Sequence, residues 1–300
     1  MSVPADLTAT TIVTEAFNRA GKASPSAGEL TRAQTYFLME VINEIWTRPQ
    51  VTRFGPAGDT RLKTLQCATV QPLTINRSKY PFPTDFDEEI TMTLLEGAHT
   101  GTATAGGATS ITLAADEDVA ATGIEGRNIV ITGGTGANQM RQCVSYSTTT
   151  KVATIDDVWT TNPDVTSTYL IVDSFYELDE ETTDDFLGIG HIVGAGRPSF
   201  YSKIDESGVA KFMLDGPPDR AYAILIRYYA NVNKIDLASA LMTKIYNNWR
   251  SVLVPGVAVK VCNSEDDSRY AVNKAEYEQN LNNLILKELP AGDEFVGFTT

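Results

Sequence analysis

Residues 196–262 read GRPSFYSKIDESGVAKFMLDGPPDRAYAILIRYYANVNKIDLASALMTKIYNNWRSVLVPGVAVKVC. Phe212 and Leu214, then Tyr222, Ile224, Ile226 and Tyr228, fall on alternate positions of two short runs. Alternation with period two predicts strands half-buried against a core. Asp215-Gly216-Pro217-Pro218-Asp219 separates the runs and predicts a tight loop, hence a β-hairpin. Asn231 to Ile235 then leads into Leu237, Leu241, Ile245, Trp249 and Val252, whose spacing is one face of a helix. Pro255-Gly256 interrupts that pattern and predicts a kink or two shorter helices. Strands followed by an amphipathic helix give an α+β class.

Working outward, Ile12, Val13, Ala16, Phe17 and Ala20 share a helical face that Gly21 and Lys22 end. Ser26 and Glu29 have the spacing of a capping box, in which each side chain satisfies the other residue's backbone N–H. Leu30, Ala33, Phe37, Leu38, Val41, Ile42, Ile45 and Trp46 form a wide apolar face that needs more than one partner element, and Pro49 stops this helix. The last helix runs from Ser268 to Leu289, with Tyr277, Leu281, Leu284 and Ile285 on one side and Pro290 as its breaker. Between the helical ends, residues 51–66 are polar and irregular. Cys67 to Ile75 reads as a strand, Tyr80-Pro-Phe-Pro is held extended by its prolines, and Ile90, Met92 and Leu94 mark another strand.

Composition changes at Gly97. From there to about Val172 the chain is rich in Thr, Gly, Ala and Val, with strands expected at 100–105, 110–113, 128–132, 139–146, 151–155 and 168–172. Short strands at that spacing predict a small antiparallel barrel or sandwich. The domain reading is therefore a mostly helical, discontinuous core at 1–96 and 176–290, built as a helical bundle with a β-hairpin. An inserted all-β domain occupies 97–175, and 291–300 forms an extended tail. The acidic run Glu177–Asp185 reads as a solvated loop, and Gly188–Gly196, with His191, as a flexible one. The tail keeps Phe295, Val296 and Phe298 beside Asp293 and Glu294, a pattern suited to a segment that docks in a groove.

A chain of 300 residues with 42% hydrophobic content can bury a sizeable core. Its formal net charge of −14 excludes binding of nucleic-acid phosphate through a broad basic surface. The same charge suits a channel through which DNA slides without adhering, and equally suits plain solubility. Cys67, Cys143 and Cys262 are far apart and odd in number, so reduced thiols in a cytosol-made chain are expected, not a disulfide framework or a zinc site. No secretion signal is legible at the amino terminus, and no stretch approaches the roughly 20 apolar residues of a membrane helix. His99 and His191 lack a nucleophile in a local motif, and no phosphate-binding loop or metal-ligand spacing occurs. The expectation is a protein without cofactor or metal, and not an enzyme.

Two pieces of the chain resemble the head-to-tail adaptor proteins of tailed bacteriophages, of the podovirus type. One is Tyr80-Pro-Phe-Pro-Thr-Asp-Phe86. The other is Pro198-Ser-Phe-Tyr201, then Phe212 to Asp219, Tyr222 to Tyr229, and Trp249 with Val257-Ala258. The first helix and the helix carrying Glu276-Tyr277 also fit, so the likeness covers most of the chain except its middle. It implies a virion protein at the head–tail interface, assembled in the host bacterial cytoplasm. Such a protein forms a ring, typically of twelve copies, under the portal. The ring extends the DNA channel, helps retain packaged DNA and docks a tail (nozzle or hub) protein. Implied partners are the portal protein, the tail protein, further copies of the chain, and double-stranded DNA passing without sequence-specific contact; no membrane is involved. Phe295, Val296 and Phe298 are the expected portal-docking residues. Phe37, Trp46, Leu241, Ile245 and Trp249 are expected in core and intersubunit helix packing. The alternatives are another tail or baseplate protein using its β insert to bind a partner or glycan and, as a third class, a cell-wall-degrading enzyme.

Overall fold

The computed structural model describes residues 7–47, 62–97, 99–184, 194–232, 239–262 and 268–288. Packing divides the chain into two units, Met1–Gln66 with Tyr229–Thr300, and Cys67–Tyr228. The architecture is mixed α and β, with several antiparallel sheets and few helices. Among the described residues no helix is long and apolar enough to cross a membrane.

The first unit is helical. In α1 (Ala9–Arg19) the N-cap Thr8 accepts from Thr11 N with its side chain, and Ile12, Val13, Ala16 and Phe17 are buried. Helix α2 (Ala27–Arg32) begins with the expected capping box, the Ser26 hydroxyl and the Glu29 carboxylate each serving the other's backbone. The bonds from Ser26 hold the Glu29 carboxyl below its usual range. The helix continues without a break through a π-helical run, Ala33–Leu38, into α3 (Met39–Thr47).

Helix α4 (Ala240–Cys262) carries Pro255 inside it. The expected split into two helices is corrected: α4 is one element. A proline supplies no N–H to the carbonyl four residues back, which here is Ser251 O. The side-chain amide of Asn280, on α5 (Ser268–Glu288), donates to that carbonyl at 2.8 Å instead. Next to the proline, Gly256 meets two neighbours at once. A Cβ there would lie 2.7 Å from Val41 Cγ1 and 2.9 Å from the Tyr277 ring. Polar ties add register: Glu288 accepts from Thr64 N and Oγ1 at 2.8 and 2.7 Å, and Arg250 pairs with Glu15 at 2.6 Å.

The second unit holds three sheets. Strands β1 (Gln66–Pro72), β3 (Phe86–Glu96), β11 (Ser174–Glu177) and β15 (Tyr222–Ala230) form one sheet in the order β1-β15-β3-β11. Strands β2 (Lys79–Pro81), β12 (Asp179–Glu180), β13 (Phe200–Glu206) and β14 (Val209–Leu214) form another, in the order β12-β13-β14-β2. The hairpin expected between the Phe212 and Tyr222 runs is therefore corrected, because β14 and β15 belong to different sheets. Alternation reveals a buried face but not a partner, and two adjacent prolines suit an extended crossing better than a two-residue turn. The Asp215 carboxylate anchors that crossing by accepting from Ser199 N at 3.1 Å. The real hairpin is β13–β14. Its turn, Ser207-Gly208, has φ of 57° and 80°, the mirror-image geometry that matches strand twist.

The remaining strands all lie between His99 and Val172. They are β4 (His99–Thr102), β5 (Ala105–Gly107), β6 (Ser110–Thr112), β7 (Asn128–Gly133), β8 (Met140–Ser147), β9 (Val152–Ile155) and β10 (Thr168–Val172). They form an antiparallel sheet in the order β4-β10-β7-β8-β9-β6-β5. The expected barrel is not closed. In the link between β4 and β5, Ala103 N bonds Ser167 O and Thr104 N bonds Thr112 O, so the two end strands face different neighbours.

The unit boundaries fall at Gln66 and Tyr229, and the compositionally distinct stretch from Gly97 to about Val172 lies inside the second unit. It shares a core with the rest of that unit. Val70, Leu95, Val130, Leu170, Val172 and Ala223 form one buried cluster joining the first sheet to the seven-stranded one. Asn138, at φ 70°, adds its side-chain oxygen to Val70 N at 2.8 Å. The acidic run is a loop only in part: Asp179–Glu180 pairs in parallel with Phe200–Tyr201 while both side chains stay exposed, Leu178 is buried, and Asp185 lies outside the described residues.

Gly256→Ala would gain up to about 1 kcal/mol of helix propensity but overpack Val41 and Tyr277 at a cost of about 1–3 kcal/mol. We expect a net loss of about 1 kcal/mol, read as a lower urea midpoint. An unchanged or higher midpoint contradicts the close approach.

Candidate functional site

Among the described residues, two places stand out for side chains that can recognise something. The first is a cleft of about 480 Å³ in the helical unit, lined by Phe17, Lys22, Glu29, Arg32, Phe37 and Lys260 among others. It sits where α1 ends, where the π-helical run shifts the register, and where α4 ends. A π-helical run displaces the side chains after it from ordinary helical spacing, and Phe37 belongs to that run. The Arg32 guanidinium lies 5.9 Å from the centre of the Phe37 ring. Lys260 bridges to Glu40 at 2.6 Å. In a chain of net charge −14 this is a locally basic, aromatic concavity.

The helix residues expected at core and intersubunit positions separate by burial. Ile245 and Trp249 are fully buried. Phe37, Trp46 and Leu241 are half-buried. Exposed apolar side chains at Tyr36, Val272 and Leu286 add to the outward set. Phe295, Val296 and Phe298 lie outside the described residues, as does His191.

The structure brings together the separated motifs of the sequence. Tyr80, Phe82 and Phe86 pack with Phe212 and Tyr228: Tyr80–Phe212 and Phe82–Phe86 stack with centroids 5.6 and 4.0 Å apart, and Phe82–Phe212 and Phe86–Tyr228 meet tilted at 5.2 and 5.9 Å. The Tyr228 hydroxyl donates to Asp85 at 2.9 Å. Burial first, then the Asp85 carboxylate, pushes the Tyr228 phenol far up, so it remains a donor at neutral pH.

The second place lies in the seven-stranded sheet. His99 on β4 faces Glu117, with Nδ1 3.0 Å from Oε1. Asp118 stands beside them, and the three ligand atoms all lie within 4.8 Å of one another. Glu117 is buried, with the Tyr169 hydroxyl donating to its other oxygen at 2.9 Å. Ala114 N donates to that hydroxyl at 3.1 Å. Gly101 leaves the space the phenol occupies; a Cβ there would be 2.7 Å from Tyr169 Oη. The sequence alone singles out His99 but not Glu117 or Asp118. Its one available signal is the run Asp116-Glu117-Asp118 in the turn after a strand, and nothing in spacing ties that turn to His99. The Cys143 thiol, in the same core, is pushed up to about 11 by burial and then by Glu125, so it is not a nucleophile at neutral pH.

Enclosure distinguishes the helix residues in a measurable way. Trp249→Ala should cost about 3–5 kcal/mol of stability, as for a fully buried aromatic. Phe37→Ala should cost clearly less and leave the protein folded. Equal denaturation midpoints for the two variants would contradict the assignment of Phe37 to an outward cleft.

Compared with known proteins, the chain matches no family model and no curated sequence.

Proposed function

We propose that this chain is a structural virion protein, a head-to-tail adaptor whose copies form a ring under the portal of a tailed phage. The observation that carries the reading is convergence. The segment Tyr80–Phe86 and the segment from Phe212 to Tyr228, on which the resemblance rests, share one aromatic cluster although far apart in sequence. Shared packing explains why both segments would accompany one another in such a protein. In this reading the helical unit supplies a bundle core, with Ile245 and Trp249 inside it. Phe37, Trp46, Leu241, Tyr36, Val272 and Leu286 are then available to neighbouring copies. A closed ring uses different faces of each copy for its two neighbours, so apolar surface on more than one helix is required.

The excess of carboxylates keeps DNA phosphates from adhering to a channel wall. The seven-stranded sheet would project a surface for the tail protein. The tail with Phe295, Val296 and Phe298 would anchor on the portal, each buried aromatic contributing about 1.5–3 kcal/mol before ordering costs.

The purified chain should be a monomer or small species alone and form a ring-sized species when mixed with portal protein, as measured by light scattering. Removal of residues 291–300 should leave the thermal midpoint nearly unchanged and weaken portal binding strongly. Absence of any larger species with portal present overturns the adaptor reading. Undiminished binding by the truncated chain moves the docking surface to the helices.

A further inference from the structure

We propose that His99, Glu117 and Asp118 form a binding site for one first-row divalent cation of the zinc type, independent of any role in ring assembly. One imidazole nitrogen and two carboxylate oxygens within 4.8 Å of one another are a donor set for such an ion.

Three features argue for a built site over a chance ion pair. The first is orientation. The Tyr169 hydroxyl accepts from Ala114 N, so its single proton is directed to Glu117 Oε2. That bond fixes the carboxylate with Oε1 toward His99, as an outer hydrogen-bond partner does for metal ligands.

The second feature is charge. Two adjacent carboxylates, one of them buried, face a single imidazole. An imidazole carries at most one positive charge and cannot balance both. The Lys151 ammonium reaches the main-chain carbonyl of Glu117. A divalent cation would balance both carboxylates at once.

The third feature is an orphan. The Tyr146 hydroxyl is buried and has no hydrogen-bond partner among the described residues. It belongs to the same buried cluster as Tyr169, whose hydroxyl holds Glu117. A buried hydroxyl without a partner costs about 1–3 kcal/mol. Three protein ligands leave a zinc-type ion one position for water, and such a water would give Tyr146 its partner. The ion would tie the turn after β6 to β4, a staple for a sheet whose end strands do not close on each other.

The test uses the full chain, stripped with EDTA and titrated with Zn²⁺ by calorimetry and thermal melting. We expect one Zn²⁺ per chain and a raised melting midpoint. Asp118 is exposed, so Asp118→Asn should leave the metal-free midpoint unchanged while weakening Zn²⁺ at least about tenfold. His99→Gln should weaken Zn²⁺ likewise and, because His99 also partners the buried Glu117 carboxylate, lower the metal-free midpoint; Tyr169→Phe should weaken binding by about 10–100-fold as a positioning residue, and Cys67→Ser should leave Zn²⁺ binding unchanged. Failure of the wild-type chain to take up Zn²⁺ overturns the proposal. So does binding that survives both Asp118→Asn and His99→Gln, or stabilisation by Ca²⁺ and not by Zn²⁺, since calcium prefers oxygen ligands alone.

Discussion

A bare Cα at Gly256 is the constraint on which the helical unit depends. It lets Val41 and the Tyr277 ring approach α4 to distances no side chain would allow. The neighbouring proline leaves Ser251 O without its helical donor, and α5 supplies Asn280 in compensation. Close contact and replaced hydrogen bond act at the same level of the helix. Together they fix which faces of α3, α4 and α5 meet, and hence which residues remain on the outside. Pro255-Gly256, a break when read locally, is a packing device once two other helices are present.

In the second unit the organising interaction is a shared apolar layer. Val130, Leu170 and Val172 of the seven-stranded sheet lie against Val70, Leu95 and Ala223 of the first sheet. A change in composition does not mark where packing stops, and here the layer crosses it. The aromatic cluster around Phe212 provides the same kind of closure on the third sheet, with the Tyr80 hydroxyl held by Thr74 N at 2.9 Å.

Electrostatics in this chain works by local exception. The overall charge is strongly negative, yet Lys22, Arg32 and Lys260 line one cleft, and an imidazole sits beside two carboxylates. Such exceptions are where an acidic protein can hold something: an anionic or aromatic group in the first case, a cation in the second. In the adaptor reading the helical cleft would bear on assembly, and the histidine–carboxylate group on the stability of the sheet.

Much of the secondary structure was legible in the sequence, because its signals are local. The capping box at Ser26 and Glu29, the face of Ile12, Val13, Ala16 and Phe17, and the strands at 128–132 and 168–172 all follow from side chains within a few residues of each other. Partnership was not legible. Alternation at Phe212 and Tyr222 marks two strands but cannot say that they lie in different sheets, since a period of two carries no information about the neighbour. The strands between His99 and Val172 were visible individually, while closure of their sheet depends on where the link at Ala103 and Thr104 finds its acceptors. The candidate cation site shows the same division. His99 stood out alone in the sequence, and only the pairing of β4 with β10 and the turn at Ala114 to Glu117 bring it to Glu117, Asp118 and Tyr169. Local chemistry determined the elements; long-range hydrogen bonding and shared burial decided which of them meet.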